Sequence, residues 1–270
     1  MTQNNNLSVL PFYASLEEQS RKRSYAYGDI YPLYTPLGKI PPFQIVIPYG
    51  TGISVTSATL KRADGVTVGS LTLTGIDIKL YQANQYDVVV YDGGTDAGAP
   101  AAEGQYYIEL VLASRTYYSD VFTAVGDISP YLKIEWWDDE DLQMEGGRIV
   151  YYLGTGSYFK NRLYLNTQLG KPEYEFEDEG EKRDGLFFPE KMISEKTYKF
   201  SFLANEQLCD VMRFIRMADH VKITDRYGNV YECDTFLMTP KWETQGNLAS
   251  VEVEFQTAVV AKRVGRSFTS

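Results

Sequence analysis

Apolar and polar residues alternate with a two-residue period over much of this chain, which is the signature of half-buried β-strands. Between Phe43 and about Val125 the pattern predicts strands at 43–47, 57–62, 67–74, 76–81, 86–91, 105–112 and 117–123. The Ala63-Asp64-Gly65 segment marks a hairpin, because glycine accepts the positive φ of a tight turn. That number and spacing of strands predicts an immunoglobulin-like β-sandwich over residues 41–126, although the Cys…Trp…Cys signature is missing. Gly126-Asp127-Ile128-Ser129-Pro130 is a turn signal and the expected boundary. Beyond it, strands are predicted at 131–137, 148–152, 162–165, 173–177, 197–202, 221–224, 230–233 and 250–257. The period changes to that of a helix over 205–219, where Leu208, Val211, Met212 and Ile215 form one stripe behind Asn205 as the cap. Residues 127–270 therefore read as an α+β module, a strand-rich sheet with one covering helix. Residues 1–40, punctuated by proline, read as an extended arm with a short helix capped by Ser15 and Glu18. The class is mainly β.

Composition narrows the partners. With 36 acidic against 26 basic residues the 270-residue chain carries a net charge of −10, the wrong sign for coating nucleic acid or an anionic membrane. No nucleic-acid or membrane partner is expected. The first residues carry neither a basic segment nor a long apolar one, so the sequence predicts cytoplasmic synthesis without a signal peptide. Cys209 and Cys233 have no metal-ligand spacing, and are expected as buried thiols or as a mutual disulfide. His220 is the single histidine, expected at the end of the helix, and phosphate-loop, dinucleotide and nucleophile-elbow motifs are missing. No catalytic residue, metal ligand or cofactor is predicted, and the protein is read as a non-enzyme.

Two acidic clusters remain, Asp138–Asp141 and Glu173–Glu181. In the second, Tyr174 and Phe176 alternate with Glu173, Glu175 and Glu177, which predicts a half-buried strand with its acids on a solvated face. Salt bridges to another subunit or a weak calcium site are the alternatives for these acids, and a carboxylate pair for glycan hydrolysis is a third. Aromatic doublets recur as Tyr106-Tyr107, Tyr117-Tyr118, Trp136-Trp137, Tyr151-Tyr152 and Tyr158-Phe159. Neighbouring strand residues point to opposite faces, so each doublet is expected to send one ring outward, where another subunit, a sugar ring or water would meet it. The candidate interface is Tyr106, Tyr117, Trp136, Trp137, Tyr151, Glu175 and Glu177.

The stretches Arg23–Leu33, Tyr117–Phe122, Phe159–Leu165, Gly170–Phe176 and Phe188–Phe200 resemble virion-type proteins encoded by phages and prophages of gut bacteria in tail or baseplate gene neighbourhoods. The resemblance implies a structural part of a tailed particle whose partners are itself or other virion proteins, and it carries over no catalytic residue. In outline the two modules are also similar to distal-tail and tail-tube proteins, whose sheets join between subunits. A carbohydrate-binding or adhesin-like module is the alternative, with glycan meeting Trp136, Trp137 and loop tyrosines.

Overall fold

The sequence alternation becomes an alternation of burial: along Leu132–Trp137 every second side chain is buried, and from Ala249 to Val253 buried and exposed positions alternate strictly. The computed structural model describes residues 8–26, 33–48, 55–72, 77–81, 86–91, 98–112, 115–139, 142–143, 150–151, 159–183, 186–242, 248–257 and 260–263. In the first half these form β1 (Phe12–Tyr13), α1 (Leu16–Ala26), β2 (Tyr34–Pro36), β3 (Phe43–Pro48), β4 (Val55–Arg62), β5 (Thr67–Ser70), β6 (Asp77–Tyr81), β7 (Tyr86–Tyr91), β8 (Gly104–Leu112), β9 (Arg115–Ser119) and β10 (Phe122–Val125). The second half contains β11 (Leu132–Trp137), β12 (Leu142–Gln143), β13 (Val150–Tyr151), β14 (Asn161–Leu165), β15 (Glu173–Arg183), β16 (Leu186–Ala204), α2 (Glu206–Met212), β17 (His220–Thr224), β18 (Val230–Trp242), β19 (Ala249–Thr257) and β20 (Val260–Arg263).

The first half is built on a seven-stranded curled sheet that is mixed, since β10 pairs β2 in parallel, and on a three-stranded sheet β3-β7-β6. Strand β8 organises the larger sheet. One edge pairs β4 along its length, while the other is shared, with β10 opposite Gly104–Tyr106 and β9 opposite Glu109–Leu112. Where the edge passes from one partner to the other, the Ile108 N–H donates to Ser119 Oγ at 2.8 Å, so the backbone donor stays satisfied. The mainly β character is as expected, but these pairings do not show the immunoglobulin-like sandwich. Strand periodicity finds the strands and leaves their pairing open, and the expected strand at 117–123 is two strands, β9 and β10, broken at Asp120-Val121.

The N-terminal segment packs on its own chain. Val9, Leu10, Phe12 and Tyr13 are buried, β1 pairs β9, and the Asp120 N–H donates to the Pro11 carbonyl at 2.8 Å. Helix α1 starts as its sequence predicts: the Glu18 N–H donates to Ser15 Oγ, and Glu18 Oε2 accepts from the Ala14 N–H.

The second half is an eight-stranded sheet in the order β14-β11-β17-β18-β19-β16-β15, with β20 on β16, and each of its pairings is antiparallel. Tyr198, Phe200 and Phe202 of β16, Val251, Val253 and Phe255 of β19, and Leu208, Val211 and Met212 of α2 belong to one hydrophobic cluster, which also contains buried residues of the first half. The helix is shorter than its periodicity predicts. After Met212 the bonds tighten to i→i−3, through Phe214 N–H to Val211 O and Met217 N–H to Phe214 O, and Ile215–Met217 is a 3₁₀ turn. The expected stripe is nonetheless buried through Ile215. His220 does not end a helix. It is the first residue of β17, opposite Trp137.

Candidate functional site

Of the doublets whose two side chains are described, Tyr106-Tyr107 turns neither ring outward, and Tyr117-Tyr118 and Trp136-Trp137 each bring one ring only to a half-buried position. Tyr106 and Tyr107 are both buried, because Tyr106, Tyr107 and Ile108 are consecutive buried positions on β8, a strand covered on both faces there. The Tyr106 hydroxyl donates to the Ala102 carbonyl at 2.9 Å. Tyr117 is buried and Tyr118 half-buried. Trp136 is 1% exposed, so it offers no surface. Trp137 is half-buried against its own chain: its ring stacks on His220 with centroids 5.0 Å apart, and the Lys160 and Lys222 ammonium groups lie 4.6 and 5.5 Å from its centroid. Tyr151 sits on β13 opposite Leu142. Its side chain, the rest of the expected 148–152 strand, Tyr152 and Tyr158 lie outside the described residues.

Strands β11 and β17 are clasped at this end by the first acidic cluster. The Asp219 N–H donates to Asp138 Oδ1 and the Asp139 N–H to Asp219 Oδ2, each at 3.0 Å, while Asp139 Oδ1 lies 3.0 Å from His220 Nε2. Burial, and then repulsion from Asp219 and Asp139, pushes the Asp138 carboxyl above the usual range. These acids are engaged in joining two strands. Glu140 and Asp141 lie outside the described residues. Among the described residues no group of three or more His, Cys, Asp or Glu is arranged to hold a metal ion. Cys209 is free and buried, and Cys233 is free and half-buried; burial is the leading cause that pushes the first thiol to about 11 and the cause that pushes the second to about 12. Thiols held this far above neutrality are poor nucleophiles.

The second acidic cluster holds the surface that sequence reasoning missed. Strand β15 does place Glu173, Glu175 and Glu177 on one face, and Glu175 and Glu177 are exposed there. The other face is not buried: Tyr174 is 57% and Phe176 77% exposed. The pairing register explains why. Tyr174 lies opposite Lys196, Phe176 opposite Ser194 and Asp178 opposite Met192, and these β16 positions share a face with Tyr198, Phe200 and Phe202. The face that forms the core at one end of β16 therefore continues along the β15–β16 hairpin. On its other edge β16 is paired by β19 along Thr197–Ala204 and by the short β20 along Lys191–Ser194. Met192 is also exposed on this face, and the Lys196 ammonium lies 5.8 Å from the Tyr174 ring centroid.

On the acidic face Glu173 pairs with Lys199 at 2.7 Å and Glu179 with Lys191 at 3.4 Å. Glu175 lies directly opposite another acid, Glu195, and among the described residues neither Glu175 nor Glu177 makes an ion pair. Like charges placed opposite each other oppose pairing. The available clue in the sequence was the length of the apolar–polar run at 186–204, far longer than any strand it could pair with downstream.

Among the described residues no helix is long and apolar enough to cross a membrane. Comparison with known families finds no matching family model, and comparison with curated proteins finds no match.

Proposed function

We propose that this protein is a non-catalytic assembly protein that acts by self-association, and that the β15–β16 hairpin is its docking element. The setting implied by the sequence resemblance, the tail or baseplate of a phage or prophage particle, is the one in which we place that activity. The observation that carries the reading is the continuation of a core face onto a hairpin where, among the described residues, Tyr174, Phe176 and Met192 are left exposed. Large exposed aromatics on a rigid strand supply contact area at small entropic cost, and clustered aromatics dominate the energy of protein interfaces. A further copy of the chain laid on Tyr174, Phe176 and Met192 would complete burial that the single chain leaves unfinished.

The glycan-binding alternative placed glycan on Trp136, Trp137 and loop tyrosines, of which Tyr227 in the β17–β18 turn is exposed with the Arg226 guanidinium 4.6 Å from its ring centroid. Trp136 has no exposed face, and Trp137 is engaged with His220 and two lysines, so subunit contact is the reading that the geometry favours. Light scattering over a wide concentration range tests it. The expected result is a mass that rises with concentration, and a Tyr174→Ser, Phe176→Ser variant that associates at least about 30-fold more weakly with an unchanged melting transition. A wild-type chain that stays monomeric throughout, or a double variant that associates normally, overturns the proposal.

A further inference from the structure

Resting on that reading, we infer that the contact between copies is heterologous: the acidic outer edge of β15 on one copy receives the basic strand β20 of the next. Strand β15 is the last strand of its sheet and is paired, among the described residues, only with β16. Strand β20 likewise pairs only with β16, from the other side, with Lys191 lying between Glu179 and Arg263 and Met192 between Asp178 and Lys262. Among the described residues the local three-stranded ribbon β15-β16-β20 therefore has two open edges, and each presents backbone N–H and C=O groups that a further strand can pair.

Their charges are opposite. Strand β15 reads Glu-Tyr-Glu-Phe-Glu-Asp-Glu-Gly-Glu-Lys-Arg, whereas β20 reads Val-Ala-Lys-Arg and has no acid. Two β15 edges laid together around a two-fold axis would bring acidic rows against each other, and like charges across a strand pair are destabilising. The same row favours a Lys/Arg-bearing strand, and Glu175 and Glu177 supply charge that the chain's own ion pairs leave unbalanced. Addition of β20 beside β15 also extends the face that carries Tyr174 and Phe176. Because the two contacting surfaces differ, a joined pair retains one free β15 edge and one free β20 edge, and the assembly grows as a ring or an open chain rather than stopping at two copies.

Charge reversal in the full-length protein separates this contact from its rivals. Glu175→Lys with Glu177→Lys, and separately Lys262→Glu with Arg263→Glu, should each weaken association by about 10-fold or more. An equimolar mixture of the two double variants, or all four changes in one chain, should restore it. A β20 reversal that associates like the wild type, or a four-fold variant that does not recover, overturns the inference while leaving self-association in place. A wild-type chain that never associates removes both. Should a reversed variant fail to fold by circular dichroism, single cysteines decide the question: Glu177→Cys and Ala261→Cys chains, mixed and oxidised, should form a mixed disulfide. A crosslink confined to pairs of Glu177→Cys chains would instead establish the two-fold contact.

Discussion

At the scale of single residues, two aspartates with opposite displacements predict opposite responses to acid. Asp225 closes the β17–β18 turn by accepting from the Tyr227 and Asn229 N–H groups at 2.8 and 2.9 Å, from Asn229 Nδ2 at 2.9 Å and from the Tyr231 hydroxyl at 3.0 Å. Burial alone would raise its carboxyl, but these donors outweigh burial and hold it below 3.8. A carboxylate with a depressed folded value stabilises the protein above the unfolded value, and that contribution disappears as pH falls through the folded one. Asp225→Ala should therefore cost about 1–3 kcal/mol at neutral pH. Urea titrations should show the gap to the wild type narrowing in acid below 3.8. Asp138 runs the other way. Its raised value means the folded state prefers the protonated acid, so its charge opposes folding as pH rises above 3.8. Asp138→Asn keeps an Oδ1 acceptor for the Asp219 N–H and should raise stability at neutral pH in the same titrations; a loss there would mean that the clasp depends on the charge.

At the scale of elements, what was legible in the sequence was whatever local rules decide. The α2 cap is one such case: Asn205 Oδ1 accepts from the Leu208 N–H at 2.7 Å, as its position before an apolar stripe predicts. Asn205→Ala should cost about 0.5–2 kcal/mol, read as a lower melting midpoint, and Asn205→Ser should recover most of it by restoring an acceptor. The strand Ala249–Thr257 was equally readable, because Val251, Val253 and Phe255 alternate with Ser250, Glu252 and Glu254, whereas β15, β16 and β18 run well past their expected ends. Pairing and coverage were not legible. Nothing local to Tyr106-Tyr107 reveals that β8 is covered on both faces, and nothing local to Tyr174 and Phe176 reveals that their face is uncovered. The same rule of alternation, applied without knowledge of neighbours, thus placed the Tyr106-Tyr107 doublet partly outside and the acidic strand's aromatics inside, each the reverse of the fold. The candidate interface kept Glu175 and Glu177, whose exposure follows from charge, and missed the neighbouring rings of Tyr174 and Phe176.

At the scale of the whole molecule, the N-terminal segment and the hairpin make contrasting demands on the chain. The segment read as an extended arm from its prolines packs into the core of its own chain: Val9, Leu10, Phe12 and Tyr13 are each at most 4% exposed. The segment also spans the two halves, since Ser8 Oγ accepts from the Gln44 N–H at 3.0 Å and the Ser8 carbonyl accepts from Nε2 of Gln207, in α2, at 3.2 Å. Burial of a large apolar side chain stabilises by roughly 1.5–3 kcal/mol, so loss of all four removes an amount comparable with the whole stability of a typical domain, about 5–15 kcal/mol. Deletion through Tyr13 should accordingly abolish the cooperative melting transition and near-ultraviolet dichroism, whereas replacement of Tyr174 and Phe176 leaves both intact and removes association. If the truncated chain melted cooperatively within a few degrees of the intact one, the segment would be an appendage after all, free to reach a neighbouring subunit, and the hairpin would lose its place as the element through which copies meet.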